Sequence, residues 1–187
     1  MVSGQRDLKI DWRPFSLALK NEELGGKDTT HSSGVHRDAH RVLRVMLAAK
    51  KHGAKLIDLY TDFGIPHHIA GEDFDNELIK SVLAKHKLPA ELLKAADDKS
   101  YDQQLQESIN SATKIAGQDI GVPTIVFNME DGSQSGYFGP VLQKLPDLDE
   151  ALELWDALSK LATNTSFYEL KRGRNSGGPD VYSTAKC

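Results

Sequence analysis

The alternation of apolar and polar positions changes period several times along the chain, and each change marks an element. Leu8, Ile10 and Trp12 alternate with polar neighbours before Pro14 shifts the phase, so residues 8–17 are predicted as a strand ending near the proline. Residues 22–33, with Gly25-Gly26 and several Ser and Thr, read as a loop. From Val35 the spacing becomes helical, with Val35, Ala39, Val42, Leu43, Met46, Leu47 and Ala49 recurring at three and four up to Gly53. Further helices are predicted over residues 55–63, stopped by Gly64 and Pro66, and over 73–86, with a short one from Pro89 to Ala96. Ser100-x-x-Gln103 has the pattern of a capping box opening a helix that runs to Gly117. The β-branched run of residues 122–128, a turn at Glu130-Asp131-Gly132-Ser133 and the short run Gly136-Tyr137-Phe138 then predict a hairpin. A last helix follows Pro146-Asp147, with Leu148, Leu152, Trp155, Leu158 and Leu161 on one face, and the polar end from Arg172 is expected to be disordered. The order strand, helical block, hairpin, helix supports an α/β or α+β domain.

Composition narrows the function. The chain has 187 residues, 39% hydrophobic and 27% charged, and 23 Lys and Arg against 27 Asp and Glu give a formal charge of −4. A nucleic-acid partner, which favours a basic excess, is therefore not expected. No apolar run reaches the ~20 residues of a membrane helix, and residues 1–7 lack a signal-peptide core, so a cytoplasmic protein without membrane contact is expected. The single cysteine, Cys187, excludes an internal disulfide and a CxxC pair within one subunit.

Among the histidines, His36 and His40 stand four apart on a helix with His31 nearby, but no carboxylate occupies the Glu position of a HExxH motif. Solvated surface histidines are the expectation, and no metal site is assigned. His67-His68 reads as a polar turn, while Trp12 and Trp155 lie on apolar faces and are expected in the core. The most informative run is Gly121-Val122-Pro123-Thr124 ahead of an apolar strand. It suits a tight cis-Pro turn, although a trans bond at a strand start is the commoner arrangement, cis accounting for only ~5–6% of X-Pro bonds.

Residues 121–128, Gly136-Tyr137-Phe138-Gly139-Pro140-Val141-Leu142, the Trp155 helix and Phe167-Tyr168-Glu169-Leu170-Lys171-Arg172 resemble the carboxy-terminal half of DsbA-like thioredoxin-fold oxidoreductases. Ser16-Leu17-Ala18-Leu19-Lys20-Asn21 and Pro89-Ala90-Glu91-Leu92 are similar to the actinobacterial mycothiol-dependent reductase branch, and the resemblance extends from Arg6 to Arg172. It implies an α/β, thioredoxin-like fold with a helical insertion. Residues 1–33 and 118–172 would form the thioredoxin-like portion, 34–117 the inserted subdomain, and 173–187 the tail. It also implies a substrate-binding role for Val122, Pro123 and Thr124 beside the active-site thiols, and for Asn21. The implied partner is a small thiol or disulfide, with mycothiol or a similar thiol as cosubstrate, no bound cofactor, and a homodimer left open. Nitro-compound reduction is known in that branch.

The chain departs from the family where the chemistry resides. The family's first strand, CxxC motif and first helix do not occur in this sequence, so the chain is expected to be truncated and inactive as a dithiol enzyme. Two other readings stand beside it. One is a non-catalytic binding or dimerisation module; against truncation itself stands a degenerate homologue that fills the gap by strand rearrangement or by swapping between subunits. The other is a glutathione-binding isomerase-like member of the same superfamily.

Overall fold

The protein was analysed as a computed structural model, which describes residues 2–23, 35–173 and 180–186. The helices are α1 (Leu17–Glu23), α2 (Val35–Lys51), α3 (Leu56–Ala70), α4 (Asn76–Lys85), α5 (Asp102–Ala116) and α6 (Leu148–Ala162). Two strands, β1 (Thr124–Asn128) and β2 (Gln134–Phe138), form an antiparallel sheet, and 3-10 turns occupy Val2–Gly4, Ala90–Asp97, Lys99–Tyr101 and Val181–Lys186. This helix-rich arrangement with a small sheet is compatible with an α/β fold. The chain divides into two compact units, Trp12–Ser111 and Met1–Asp11 with Ala112–Cys187.

In the helical unit, the three-and-four spacing of α2 buries Val42, Val45, Met46 and Ala49 on one stripe. They meet Leu56, Leu59 and Phe63 of α3, Leu78, Ile79, Val82 and Leu83 of α4, and Ala95 and Ala96. Helix α4 starts where Asp75 accepts the Glu77 and Leu78 N–H groups, both at 2.9 Å, satisfying two donors that helix geometry leaves over.

Three local expectations are corrected here. Residues 7–16 form no strand, and Ile10 and Trp12 are half exposed. Period-two patterning only yields a strand when a neighbouring strand takes up its backbone groups, and among the described residues no strand runs alongside this segment. Helix α3 runs through Gly64 and Pro66 to Ala70, placing His67 and His68 in its last turn instead of a polar turn. Proline removes one intrahelical donor but does not by itself end a helix this close to its terminus, and the stop comes at Gly71, whose φ of +75° places it in the left-handed region. Ser100 does not open α5 but lies in the preceding 3-10 turn, Lys99–Tyr101, which Asp98 caps by accepting the Ser100 N–H at 2.9 Å.

In the sheet unit, Val126 faces Gly136 and Ile125 faces Tyr137 across the hairpin. The Val126 face abuts the end of α5 so closely that a Cβ on Gly136 would stand 3.0 Å from both Ala116 Cβ and Ile115 Cγ2. The opposite face packs on α6, with the Phe127 and Trp155 rings 5.8 Å apart. Tyr137 stacks near Phe167 and donates its hydroxyl to the Phe167 carbonyl at 2.8 Å. Helix α6 is capped by Asp147, which accepts from Glu150 N–H, and Arg6 grips Asp156 through Nε at 3.1 Å and Nη2 at 2.7 Å. Asp180 N–H donates to the Gln143 carbonyl at 2.7 Å, tying the Val181–Lys186 turn to the segment after the hairpin.

Candidate functional site

The loop entering β1 is held by its own polar groups. Thr124 Oγ1 donates to the Gly121 carbonyl at 2.7 Å, and the Pro123 carbonyl accepts the Gly139 N–H at 2.8 Å. The Val122–Pro123 and Gly139–Pro140 peptide bonds are both cis, so the two ends of the hairpin carry the same arrangement side by side. Val122 and Pro123 are exposed and Thr124 is half-buried. Phe138 lies against Gly121, where an added Cβ would meet its ring at 3.6 Å, and Phe138, Val141 and Leu142 add exposed apolar surface. A ligand reaching this loop meets a fixed backbone edged by apolar side chains. Gly139-Pro140 follows β2 as Val122-Pro123 precedes β1, so an X-Pro pair stands at each end of the hairpin.

Asn21, the other sequence-derived site residue, is half-buried within α1, in the helical unit, whereas residues 122–124 belong to the sheet unit. Cys187 and His31 lie outside the described residues.

The helical unit holds a polar group that the sequence reading missed. Ser16 precedes α1, where its Oγ accepts the Leu19 N–H at 3.3 Å and its carbonyl accepts the Lys20 N–H at 3.0 Å. The same Oγ is 2.9 Å from His40 Nδ1, and His40 Nε2 is 3.1 Å from Asp102 Oδ1. Arg44 closes the set with a two-pronged grip on Asp102, 2.6 Å for each prong, and a third bond of 3.0 Å to the Ala96 carbonyl. His40 is only 6% exposed, so the expectation of a solvated surface histidine is overturned. The available signal was the stripe His40, Arg44, Leu47 and Ala48, which keeps helical spacing with residues that are all buried.

Burial, then the charge of Arg44, pushes the His40 pKa below the ordinary histidine value against the opposing pull of Asp102. Burial alone would raise Asp102, but the Arg44 hydrogen bonds and charge outweigh it and hold the carboxyl below its usual range. Serine, histidine and aspartate in one line invite a hydrolytic reading, and the geometry opposes it. Ser16 is 1% exposed and already serves as a helix cap, and its histidine contact is through Nδ1 instead of Nε2. A separate open cavity of about 540 Å³ is lined by Asp38, Arg41, His67, Asp73 and Phe74, but Arg41 there is already bound to Asp97 and Asn76. Among the described residues, no three His, Cys, Asp or Glu side chains gather as a metal would require, and no helix is long and apolar enough to cross a membrane.

Comparison with known proteins places these features in a lineage. Uncharacterized protein Rv2286c of Mycobacterium tuberculosis is 27% identical over 177 residues, covering 93% of this chain and 73% of that protein. Residues 1–172 match the Rv2466c-like family, described as mycothiol-dependent nitroreductase Rv2466c. With nearly its whole length matched, the chain belongs to the Rv2466c-like family of mycothiol-dependent reductases.

Proposed function

We propose that this chain is a DsbA-like, thioredoxin-fold member of that family that binds a low-molecular-weight thiol, mycothiol or a close analogue, at the Val122-Pro123-Thr124 loop; Asn21, in the helical unit, is proposed separately as a substrate-binding residue. The observation carrying this reading is the family match over residues 1–172, within which the exposed loop entering β1 is the segment that resembles a thiol-substrate platform. In the proposed arrangement, residues 1–33 and 118–172 form the thioredoxin-like portion around the inserted segment 34–117. An extended ligand would pair with the loop backbone in the manner of strand addition, with Val122 at its apolar flank.

The cysteine count shapes the chemistry. Reducing a disulfide or a nitro group by two electrons requires two thiols, and this sequence supplies one, Cys187. Two molecules of the small thiol, leaving as their disulfide, provide the electrons instead, and the chain's part is to bind and orient. The same count favours a second reading, a non-catalytic thiol-binding or dimerisation module, in which binding occurs without turnover.

The test is to titrate the isotope-labelled full chain with mycothiol and follow backbone amide shifts. Shifts centred on Val122 and Thr124, retained in Cys187→Ser, are expected, together with no dithiol-type reduction of insulin. Shifts that avoid residues 121–124, or catalytic reduction of insulin by the chain with no small thiol added, would overturn the proposal.

A further inference from the structure

We propose that Ser16, His40, Asp102 and Arg44 form a one-directional hydrogen-bond latch that positions α1, and that it holds only while His40 is neutral and protonated on Nε2. The direction follows from donor and acceptor counting. Asp102, gripped by Arg44 at both oxygens, is a carboxylate and can only accept, so the facing His40 Nε2 carries the hydrogen. In a neutral ring Nδ1 is then an acceptor, and the Ser16 hydroxyl must donate to it across 2.9 Å. The Ser16 oxygen is left free to accept the Leu19 N–H, which caps α1. Every link fixes the next, from a carboxylate on α5 to the first turn of a seven-residue helix packed on α2.

Proton uptake at His40 reverses one link. Nδ1 becomes a donor, the Ser16 hydroxyl loses its acceptor at a position 1% exposed, and a second cation appears beside Arg44. Among the described residues, the charged groups acting on the ring are Arg44 on α2, Asp102 on α5 and Glu22 on α1; Lys20 is also buried on α1. One carboxylate already engaged by Arg44 does not neutralise a further buried charge. Ser16, His40, Asp102 and Arg44 are thus positioning residues for α1. Their link to ligand binding, through Asn21, rests on the reading above, but the latch itself does not.

The experiment uses the full chain and two readouts. Long-range proton–nitrogen correlation spectra should show His40 as the Nε2–H tautomer at pH 7.5 and still mostly neutral at about pH 6.5, the ordinary histidine midpoint. Amide protection factors in α1 should fall between pH 7.5 and 5.5, by up to about tenfold if the unlatched ring titrates near 6.5. Ser16→Ala should lower α1 protection at every pH and abolish the pH step, because the imidazole is then uncoupled from the cap. An Nδ1–H tautomer, a His40 ring already half protonated at about pH 6.5, or an unchanged pH step in Ser16→Ala would each overturn the latch. Asn21→Ala should leave tautomer and protection unchanged while removing any mycothiol-induced shifts within α1 itself. Loss of the latch with those shifts intact refutes this inference alone, and the reverse result refutes only the ligand role of Asn21.

Discussion

Replacing Asp102 by Ala should be far more damaging than replacing Arg44 by Met, although the two are partners. Asp102 accepts two bonds of 2.6 Å from Arg44 and one of 3.1 Å from His40. Without it, a guanidinium whose side chain is 9% exposed keeps only the Ala96 carbonyl, and the His40 Nε2–H loses its acceptor. Stranding a buried charge costs about 3–5 kcal/mol, and the Ala96 bond places the expectation near the lower end, about 3 kcal/mol. The converse change strands nothing comparable. In Arg44→Met the apolar stem is preserved, and Asp102, 27% exposed, retains His40 and can take water, so the loss should be about 1–2 kcal/mol, the scale of charged hydrogen bonds. The double variant should cost less than the sum, because the second substitution removes the stranded charge. Urea unfolding of the full chain, followed by helical ellipticity, measures all three. Equal losses for the two single variants, or strict additivity, would refute the view that Asp102 is there to neutralise a buried Arg44.

Two further substitutions probe packing and capping. Gly136→Ala forces a Cβ to 3.0 Å from Ala116 Cβ and Ile115 Cγ2, with the Ala116 backbone N at 3.4 Å, and should destabilise the sheet unit by about 1–3 kcal/mol. The expected sign is loss of Tyr137 and Trp155 near-ultraviolet signal at lower temperature than in the parent, and an unchanged melt would show that α5 can yield. Asp75→Ala removes the acceptor for two N–H groups and should cost about 1 kcal/mol, read as faster exchange at Glu77 and Leu78; unchanged exchange there would deny Asp75 its capping role.

The elements whose residues bury one face against a neighbour in the chain were legible in the sequence. Helices α2, α4, α5 and α6 and the hairpin follow from local periodicity and from turn residues such as Asp131 and Gly132. Residues 8–17 were not legible, because alternation states a preference for two faces and is silent about whether a partner strand exists. Gly64 and Pro66 were read as stops, yet Leu59 and Phe63 are buried on the same helix and carry it onward, so packing overrode the local signal. Trp12, expected in the core, is 48% exposed, because its segment forms no strand that would lay it on a sheet face. The latch was hidden for a different reason. Ser16, His40 and Asp102 are separated by 24 and 62 residues, and polar side chains at such distances announce their partnership only once the helices are packed. The Val122–Thr124 loop stood out because proline, valine and threonine at a strand entry form a local pattern.

The buried cluster of the helical unit has a kinetic meaning. Its members all lie between Val42 and Ala96, so they meet through short loops, whereas the sheet unit must bring Arg6 to Asp156 across 150 residues. Local closure is fast and distant closure slow. On a growing or refolding chain the helical unit is therefore expected to reach its packing before the sheet unit closes Arg6 onto Asp156.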